Sequence, residues 1–310
     1  LQVDGMISPA TADFVRRGLA RAQSEKAQLV VLQLDTPGGL DTSMRAIIKA
    51  MLGTGVPVAV FVSPQGARAA SAGFFILLAA DIAAMAPGTN TGAAHPVSVT
   101  GSDIEKTMKE KVTNDAASYI KTLARKHRRS EEMAEKAVRE SSSYTAEECL
   151  KGGLADLVVA DRSELIERLQ GRTVALASGA EVTLDLQGET IVELEMSDRQ
   201  KFLRTITNPN LAYFLLIFGL IGLYIEFTHP GGVIPGILGG ISLLLAFLAF
   251  QVLPINYVGL FLILLSIGFF IAEIKVQGFG MLGIGGIVSF VLGSIMLIKS
   301  PIPEMRPALP

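Results

Sequence analysis

Cysteine and histidine are scarce in this sequence, and charge is almost missing from its last third. The chain has 310 residues, with one cysteine (Cys149) and three histidines. A lone cysteine excludes an intrachain disulfide, and no Cys/His spacing of a zinc site occurs, so we expect no metal and no cofactor. No basic stripe is interleaved with aromatic residues, which excludes nucleic acid as an expected partner. Cys149 lies in a short helical pattern, which indicates a structural role.

The charges are distributed very unevenly along the chain. Residues 205–310 contain three basic and three acidic residues, which leaves 24 basic and 26 acidic residues in the first 204 positions. The first part has the charge content of an ordinary soluble domain. Water cannot be the main solvent of the second part, so the chain is not one uniform soluble protein.

Four apolar runs of about 17–20 residues occupy the weakly charged part, and each is long enough to cross a bilayer or nearly so. We predict four transmembrane helices in two hairpins, surrounded by lipid. The runs are 211–227, 232–250, 258–274 and 280–298.

The two predicted hairpins resemble each other as repeats. Glu226 and Glu273 are 47 residues apart, and Gly236 and Gly283 match at the same offset. Glycine at such positions lets helix backbones approach closely. An ionisable residue at this depth can be functional, but we predict that both glutamates cap or tie their hairpins.

The orientation of the spans is weakly marked. Arg199, Lys201 and Arg204 precede the first run and favour a cytoplasmic soluble domain, whereas a leader removed before Leu1 would favour the opposite side. The proline-rich residues 300–310 are expected to form a linker to a further domain.

Strand and helix patterns alternate in the first 200 residues. This alternation predicts an α/β domain with a largely parallel sheet, whose ligand sites gather at the carboxyl ends of the strands. Ser102 and Glu105 are expected to cap the last helix, and the basic run 125–129 is interpreted as its solvated end. The predicted strands are 28–34, 56–62 and 82–86, and the predicted helices are 41–52, 71–79 and 102–128.

Ser71 is the best candidate for a nucleophile. It has only small neighbours and opens a predicted helix, where unpaired N–H groups and the helix dipole favour developing negative charge. The alternative is an ordinary N-cap serine that stabilises the helix. Gly38, Gly39 and Ala72 can supply backbone N–H groups to an oxyanion hole.

A nucleophilic serine needs a base. His95 is one choice, although no motif places an acid to orient its imidazole. Lys111 is another, if burial lowers the pKa of its amine. Three further lysines (Lys106, Lys109 and Lys121) share the predicted helix, so spacing leaves the base open. The chain has no Gly-x-Ser-x-Gly elbow, phosphate loop or dinucleotide fingerprint.

Several motifs together resemble the NfeD family of stomatin operon partner proteins, which are membrane-bound serine proteases related to the Clp protease subunit and to signal peptide peptidase A. In the soluble part these are Asp35-Thr-Pro-Gly-Gly, Gly66-Ala-Arg-Ala-Ala-Ser-Ala-Gly and Gly92-Ala-Ala-His-Pro. Glu226-Phe-Thr-His-Pro-Gly-Gly and Glu273-Ile-Lys-Val-Gln-Gly-Phe-Gly match the membrane region of the family.

The resemblance implies a Clp/crotonase-like spiral of β-β-α units and a Ser-Lys dyad. Lys111 is the implied base because Lys-Val-Thr-Asn matches the family pattern. An acid for a histidine triad would fall near Ser141, where no carboxylate stands. The implied site comprises Ser71 and Lys111 (catalytic), Gly38, Gly39 and Ala72 (oxyanion hole), His95 and Ser141 (auxiliary), and Ala70, Phe74 and Phe75 (substrate pocket).

The resemblance also implies an endopeptidase that cleaves apolar segments of membrane proteins, including a stomatin-like (SPFH) partner. We expect a homo-oligomer, at least a dimer, in a prokaryotic membrane with the protease domain on the outer side. The alternatives are a non-enzymatic anchor of an SPFH complex and acyl-CoA chemistry. The expected domains are 1–196 (protease), 197–210 (amphipathic connector), 211–299 (transmembrane) and 300–310 (linker to a missing OB-like domain).

Overall fold

The computed structural model describes residues 1–97, 106–206, 208–229, 233–251, 255–276 and 280–297. Two compact units separate between Gln200 and Lys201, and each has its own hydrophobic core. The predicted helix cap at Ser102 and Glu105 and the predicted linker 300–310 lie outside the described residues.

The first unit is an α/β domain, as predicted. Its strands are β1 (Gln2–Asp4), β2 (Val30–Asp35), β3 (Val58–Val62), β4 (Arg68–Ala70), β5 (Ile82–Met85), β6 (Asn90–Gly92), β7 (Ser143–Thr145), β8 (Leu157–Val158), β9 (Thr173–Ala175) and β10 (Glu181–Thr183). Its helices are α1 (Pro9–Ser24), α2 (Asp41–Gly53), α3 (Ala72–Leu78), α4 (Lys106–Lys126), α5 (Glu131–Arg139), α6 (Ala146–Lys151) and α7 (Arg162–Leu169). Helix α8 (Asp198–Ile206) begins in the first unit and ends in the second.

A five-stranded parallel sheet forms the centre of this unit, in the order β1-β2-β3-β5-β8. Every residue of β3 and β5 is buried. Strands buried on both faces read as continuous apolar runs, which is why the sequence predicts them. One core packs against each face of the sheet.

A second, three-stranded sheet (β4-β6-β7) stands beside the first. Thr36, at the end of β2, joins the two sheets, because its N–H donates to Arg68 O and its carbonyl accepts from Ala70 N. The order β3-β4-α3 followed by β5-β6-α4 repeats a β-β-α unit. This order confirms the predicted Clp/crotonase-like spiral.

The basic run at the end of α4 is not uniformly solvated, and the interpretation is wrong for Arg129. The Arg129 side chain is 2% exposed. It donates to Leu78 O and Ala80 O at the carboxyl end of α3 and to the Asp156 carboxylate, each at 2.8 Å. A buried guanidinium is stable only when it is paired in this way, so Arg129 is a structural tie.

Cys149 is buried in α6. Burial, with Glu148 and Glu147 nearby, raises the pKa of its thiol to about 12. The thiolate, the reactive form, is therefore not populated near neutral pH, in agreement with the predicted structural role.

The second unit contains several apolar helices, at the positions that the sequence predicts. Asn210–Thr228, with 19 residues, is long and apolar enough to cross a membrane, whereas the other three apolar stretches fall in the 10–17-residue range. The number of spans therefore stays a prediction. The helices are α9 (Pro209–Thr228), α10 (Ile234–Phe250), α11 (Tyr257–Val276) and α12 (Met281–Leu297).

Both hairpins of this unit are tied by a glutamate. Glu226 of α9 accepts a hydrogen bond from Val233 N at 3.2 Å. Glu273 of α11 accepts from Gly280 N at 2.8 Å and from Gly283 N at 3.0 Å. Each carboxylate thus satisfies N–H groups where the next helix of its hairpin begins. The predicted role of both glutamates as hairpin ties is confirmed.

Candidate functional site

Ser71 lies in the turn between β4 and α3, where the two sheets meet. Its N–H donates to Gly92 O of β6 at 2.9 Å, and its carbonyl accepts from Phe74 N at 3.0 Å. The backbone of Ser71 has φ 52° and ψ −114°, a conformation that L-residues rarely adopt. Such backbone strain costs about 1–3 kcal/mol and clusters at functional sites.

The hydroxyl of Ser71 does not cap its helix. Ser71 occupies the N-cap position of α3 without a side-chain hydrogen bond to the helix. Within the described part of the chain, no hydrogen bond to its Oγ is found. The ordinary N-cap interpretation requires that bond, so the structure does not support it. The role of Ser71 as a nucleophile stays a prediction.

Gly38 stands directly against Ser71. A Cβ built on Gly38 would lie 2.7 Å from Ser71 Cβ and 3.2 Å from Ser71 Oγ. Gly38 also has φ +116°, which disfavours any residue with a side chain. Glycine is needed here because the loop after β2 passes within contact distance of Ser71.

The N–H groups of the glycine loop have different partners. Gly38 N–H donates to the buried Thr36 Oγ1 at 3.0 Å, so it is occupied. Gly39 N–H and Ala72 N–H make no hydrogen bond to any residue that the structure describes. Gly39 is held next to Ile7, since Leu40 N donates to Ile7 O and Ile7 N donates to Gly38 O. Gly39 and Ala72 therefore stay candidate donors of the predicted oxyanion hole.

His95 is held by the backbone of α5. Its Nδ1 lies 2.9 Å from Val138 O, the position that a carboxylate takes in a Ser-His-Asp triad. No carboxylate contacts its ring by a hydrogen bond or ion pair among the described residues. Ser141 is exposed and has φ 58°. The adjacent Ser142 carbonyl accepts from Ala93 N at 2.8 Å.

Lys111 lies in the second turn of α4, and its side chain is exposed. Lys111 makes no hydrogen bond or ion pair with any residue that the structure describes, and so none with Ser71. Of the other lysines on this helix, Lys121 is paired with Glu135 at 2.9 Å, and Lys109 is exposed. The side chain of Lys106 lies outside the described set.

The residues predicted to line the substrate pocket differ in burial. Ala70 is partly exposed, whereas Phe74 is 0% exposed and Phe75 is 5% exposed. Both phenylalanines belong to the core that covers one face of the sheet. Ala70 therefore stays a predicted pocket residue, whereas the structure places Phe74 and Phe75 in the core.

Sequence reasoning did not single out two polar residues of the neighbouring elements, Thr36 and Arg45. Thr36, which occupies Gly38 N–H, lies inside the Asp35-Thr-Pro-Gly-Gly motif, so the motif itself was a signal. Arg45 of α2 binds Asp115 of α4, which is 70 positions away. No local sequence pattern predicts a pair of residues so far apart in the chain.

Two family models match this chain. The N-terminal domain of NfeD1b matches residues 2–178, and the NfeD integral membrane domain matches residues 210–309. Among curated proteins, the chain is 37% identical over 300 residues to membrane-bound protease PH1510 of Pyrococcus horikoshii, covering 96% of this chain and 68% of the relative. It is 28% identical over 292 residues to membrane protein NfeD1b of Bacillus subtilis, covering 93% and 65%. The chain thus spans about two thirds of the length of both relatives.

Solved structures similar to this chain cover its first unit. A mutant of the 1510-N membrane-bound stomatin-specific protease in complex with a substrate peptide has a TM-score of 0.61 and 34% identity, covering 66% of this chain and 94% of that chain. The 1510-N membrane protease specific for a stomatin homologue of Pyrococcus horikoshii has a TM-score of 0.58 and 33% identity, covering 66% and 96%.

Proposed function

This chain belongs to the NfeD family, and from that premise we propose that it is a membrane-bound serine endopeptidase with Ser71 as nucleophile and Lys111 as base. The observation that carries the proposal is the turn at Ser71. It combines a strained backbone, a hydroxyl that caps nothing, and Gly38 pressed against that hydroxyl. A serine with only a structural role would not require this combination.

The chemistry begins with attack of Ser71 Oγ on the carbonyl carbon of the scissile peptide bond. Lys111 takes the hydroxyl proton, and the carbonyl oxygen becomes an oxyanion that accepts hydrogen bonds from Gly39 N–H and Ala72 N–H. Lys111 then gives the proton to the leaving amine as the C–N bond breaks. Water hydrolyses the resulting acyl-enzyme by the same route.

The proposal requires the Lys111 amine to come within hydrogen-bond reach of Ser71 Oγ when substrate is bound. Catalytic hydrogen bonds are often long or absent without substrate, so the exposed position of Lys111 does not exclude it. The Val138 carbonyl on His95 Nδ1 supports Lys111 over a histidine triad, because a carbonyl supplies no negative charge to stabilise an imidazolium.

We propose apolar segments of membrane proteins as substrates, among them a stomatin-like (SPFH) partner. Two similar proteins are named as stomatin-specific proteases, and the apolar second unit holds the enzyme beside such partners. We further propose that the chain acts as an oligomer, at least a dimer, with its first unit on the outer side of a prokaryotic membrane.

The test is cleavage of an apolar peptide by the full chain in detergent, together with labelling by a fluorophosphonate serine probe. Ser71→Ala should abolish both signals, and Lys111→Ala should reduce cleavage at least 10²-fold, while Lys109→Ala serves as the matched control. If His95→Ala removes activity and Lys111→Ala keeps it, the dyad is wrong. If Ser71→Ala keeps full activity, Ser71 is not the nucleophile. If the wild type neither cleaves the peptide nor is labelled by the probe, a non-enzymatic anchor is favoured.

A further inference from the structure

Arg45 makes contacts in two directions. Within α2, its Nε donates to Asp41 at 2.9 Å. Towards α4, its Nη2 donates to Asp115, and its guanidinium carbon lies 4.4 Å from the centre of the Tyr119 ring. A guanidinium above an aromatic face is attracted by the electrons of the ring. One side chain therefore joins α2 to α4 by a charge pair and a stacking contact.

The stack continues into the helix of the nucleophile. The ring of Tyr119 packs against Phe75 of α3, with ring centres 5.9 Å apart. Phe75 follows Ser71 by four residues, about one helical turn. Burial raises the pKa of the Tyr119 phenol, so the ring stays neutral near pH 7. Arg45, Tyr119 and Phe75 thus form a continuous stack across α2, α4 and α3.

Both carboxylate partners of Arg45 are close in sequence to residues of the proposed mechanism. Asp41, the partner of Arg45, begins α2 immediately after Gly39 and Leu40. Asp115, the other partner, follows Lys111 by four residues, which is one turn of α4. The first turns of α4 are exposed, and Arg139 of α5 makes a second tie to them by donating to Asn114 Oδ1 at 2.9 Å. Arg45 is therefore placed to fix the position of Lys111 relative to the oxyanion loop.

We propose that Arg45 is a positioning residue, which holds the first turns of α4 so that Lys111 can reach Ser71. This inference rests on the proposed function. Arg45 does not touch the reacting atoms itself. A displacement of about 1 Å in a catalytic group can cost about 10²-fold in rate, so loss of the tie should reduce kcat more than substrate binding.

The test compares the full chain in detergent with Arg45→Met, Arg45→Lys and Asp115→Asn. Arg21→Met is the matched control, because Arg21 of α1 makes an exposed i,i+4 ion pair with Glu25 and is not a partner in the stack. We expect Arg45→Met to lower kcat for an apolar peptide about tenfold, with KM within about twofold of wild type. Arg45→Lys should restore part of this loss, because it keeps the charge and loses the planar stacking surface.

A second readout does not depend on catalysis. Amide hydrogen exchange in residues 107–119 should become faster in Arg45→Met and stay unchanged in Arg21→Met. The double variant Arg45→Met/Asp115→Asn should lower kcat by less than the two single effects combined, because both substitutions remove the same tie.

The positioning role would be overturned if Arg45→Met left amide exchange in α4 unchanged or affected kcat and KM equally. Additive effects of Arg45→Met and Asp115→Asn on kcat would overturn it as well. A wild-type chain that cleaves nothing overturns the proposed function, and the catalytic role of Arg45 with it. Faster exchange in Arg45→Met would in that case still show that Arg45 holds α4, so the two failures are distinguishable.

Discussion

The Ser71 hydroxyl and the Gly38 backbone occupy adjacent space, and this contact defines the site at the scale of single residues. The sequence shows a serine among small residues and a pair of glycines that lie 33 and 32 residues earlier. The sequence does not show that Gly38 contacts Ser71. Nor does it show that the Gly39 N–H is free to donate a hydrogen bond. That division depends on the Thr36 hydroxyl, which occupies Gly38 N–H.

Replacement of Gly38 by alanine should inactivate the enzyme. The new Cβ would lie 2.7 Å from Ser71 Cβ, a distance that real Cβ atoms do not reach, so the nucleophile or the loop must move. We expect a loss of at least about 10²-fold in kcat/KM, as for other misplaced catalytic groups. Steady-state cleavage and probe labelling measure the effect.

Gly66→Ala is the matched control for this change. Gly66 also has positive φ, at +84°, but a Cβ added there would have no atom within 4 Å. It should lose about 1–2 kcal/mol of stability from backbone strain and keep its activity. Equal activity losses in the two variants would show that positive φ, and not contact with Ser71, explains the requirement for glycine.

His127 makes stability depend on pH. Burial, with Arg129 and Lys126 nearby, lowers the pKa of its imidazole to about 4, against about 6.5 in an unfolded chain. The unfolded chain therefore binds a proton first as pH falls. The neutral imidazole favours the folded state above pH 6.5, and this contribution is lost as pH falls from about 6.5 to about 4. It amounts to at most about 3 kcal/mol.

Urea unfolding at pH 7 and pH 5 measures this effect. Between pH 7 and pH 5, the free energy of unfolding of the wild type should fall by about 2 kcal/mol more than that of His127→Gln, which cannot titrate in this range. Carboxylates contribute equally to both proteins, so the difference isolates the imidazole. Equal decreases in the free energy of unfolding of the two proteins would contradict the assignment to His127.

At the scale of elements, glycine decides how closely the membrane hairpins pack. A Cβ on Gly239 of α10 would lie 2.9 Å from Gly219 O of α9, and one on Gly293 of α12 would lie 2.8 Å from Gly259 O of α11. Helices approach this closely only where side chains are missing. A Cβ on the neighbouring Gly240 would have no atom within 4 Å, so this glycine faces away from the contact.

Adjacent glycines in α10 should therefore respond in opposite ways to alanine. Gly239→Ala should lower the thermal midpoint of the full chain in detergent, because α9 and α10 must separate. Gly240→Ala should leave the midpoint unchanged or raise it, since alanine is favoured over glycine inside a helix by about 1 kcal/mol. Equal midpoints for the two variants would show that the packing of α9 against α10 does not depend on Gly239.

The sequence predicts elements with contiguous apolar residues and misses those without them. β3 and β5 are fully buried, and both are predictable as strands. β4 and β6 have three residues each and include Arg68 and Asn90, so no periodicity marks them. They nevertheless build the second sheet and position Ser71. Motifs thus identify the site, while its geometry depends on contacts distant in sequence, such as Arg45 with Asp115.

At the scale of the whole molecule, the uneven charge distribution corresponds to two units with separate cores. The first unit encloses its sheet between two apolar clusters, which together resemble the core of an independent domain. All residues of the proposed mechanism lie in this unit. The second unit adds apolar helices and contributes none of those residues, so its role in the proposed function is to localise the enzyme.

Residues 1–200 alone should therefore fold and cleave a soluble apolar peptide with kcat/KM within a few-fold of the full chain. The same fragment should lose most cleavage of a membrane-embedded partner, because attachment to one bilayer raises the effective concentration of enzyme and substrate. Both rates are measured with proteoliposomes that contain the partner, with Ser71→Ala of the full chain as the inactive control. If the fragment cleaves the embedded partner as fast as the full chain, localisation is not the role of the second unit. If the fragment is folded and labelled by the serine probe but cleaves neither substrate, the apolar helices contribute to the active site itself.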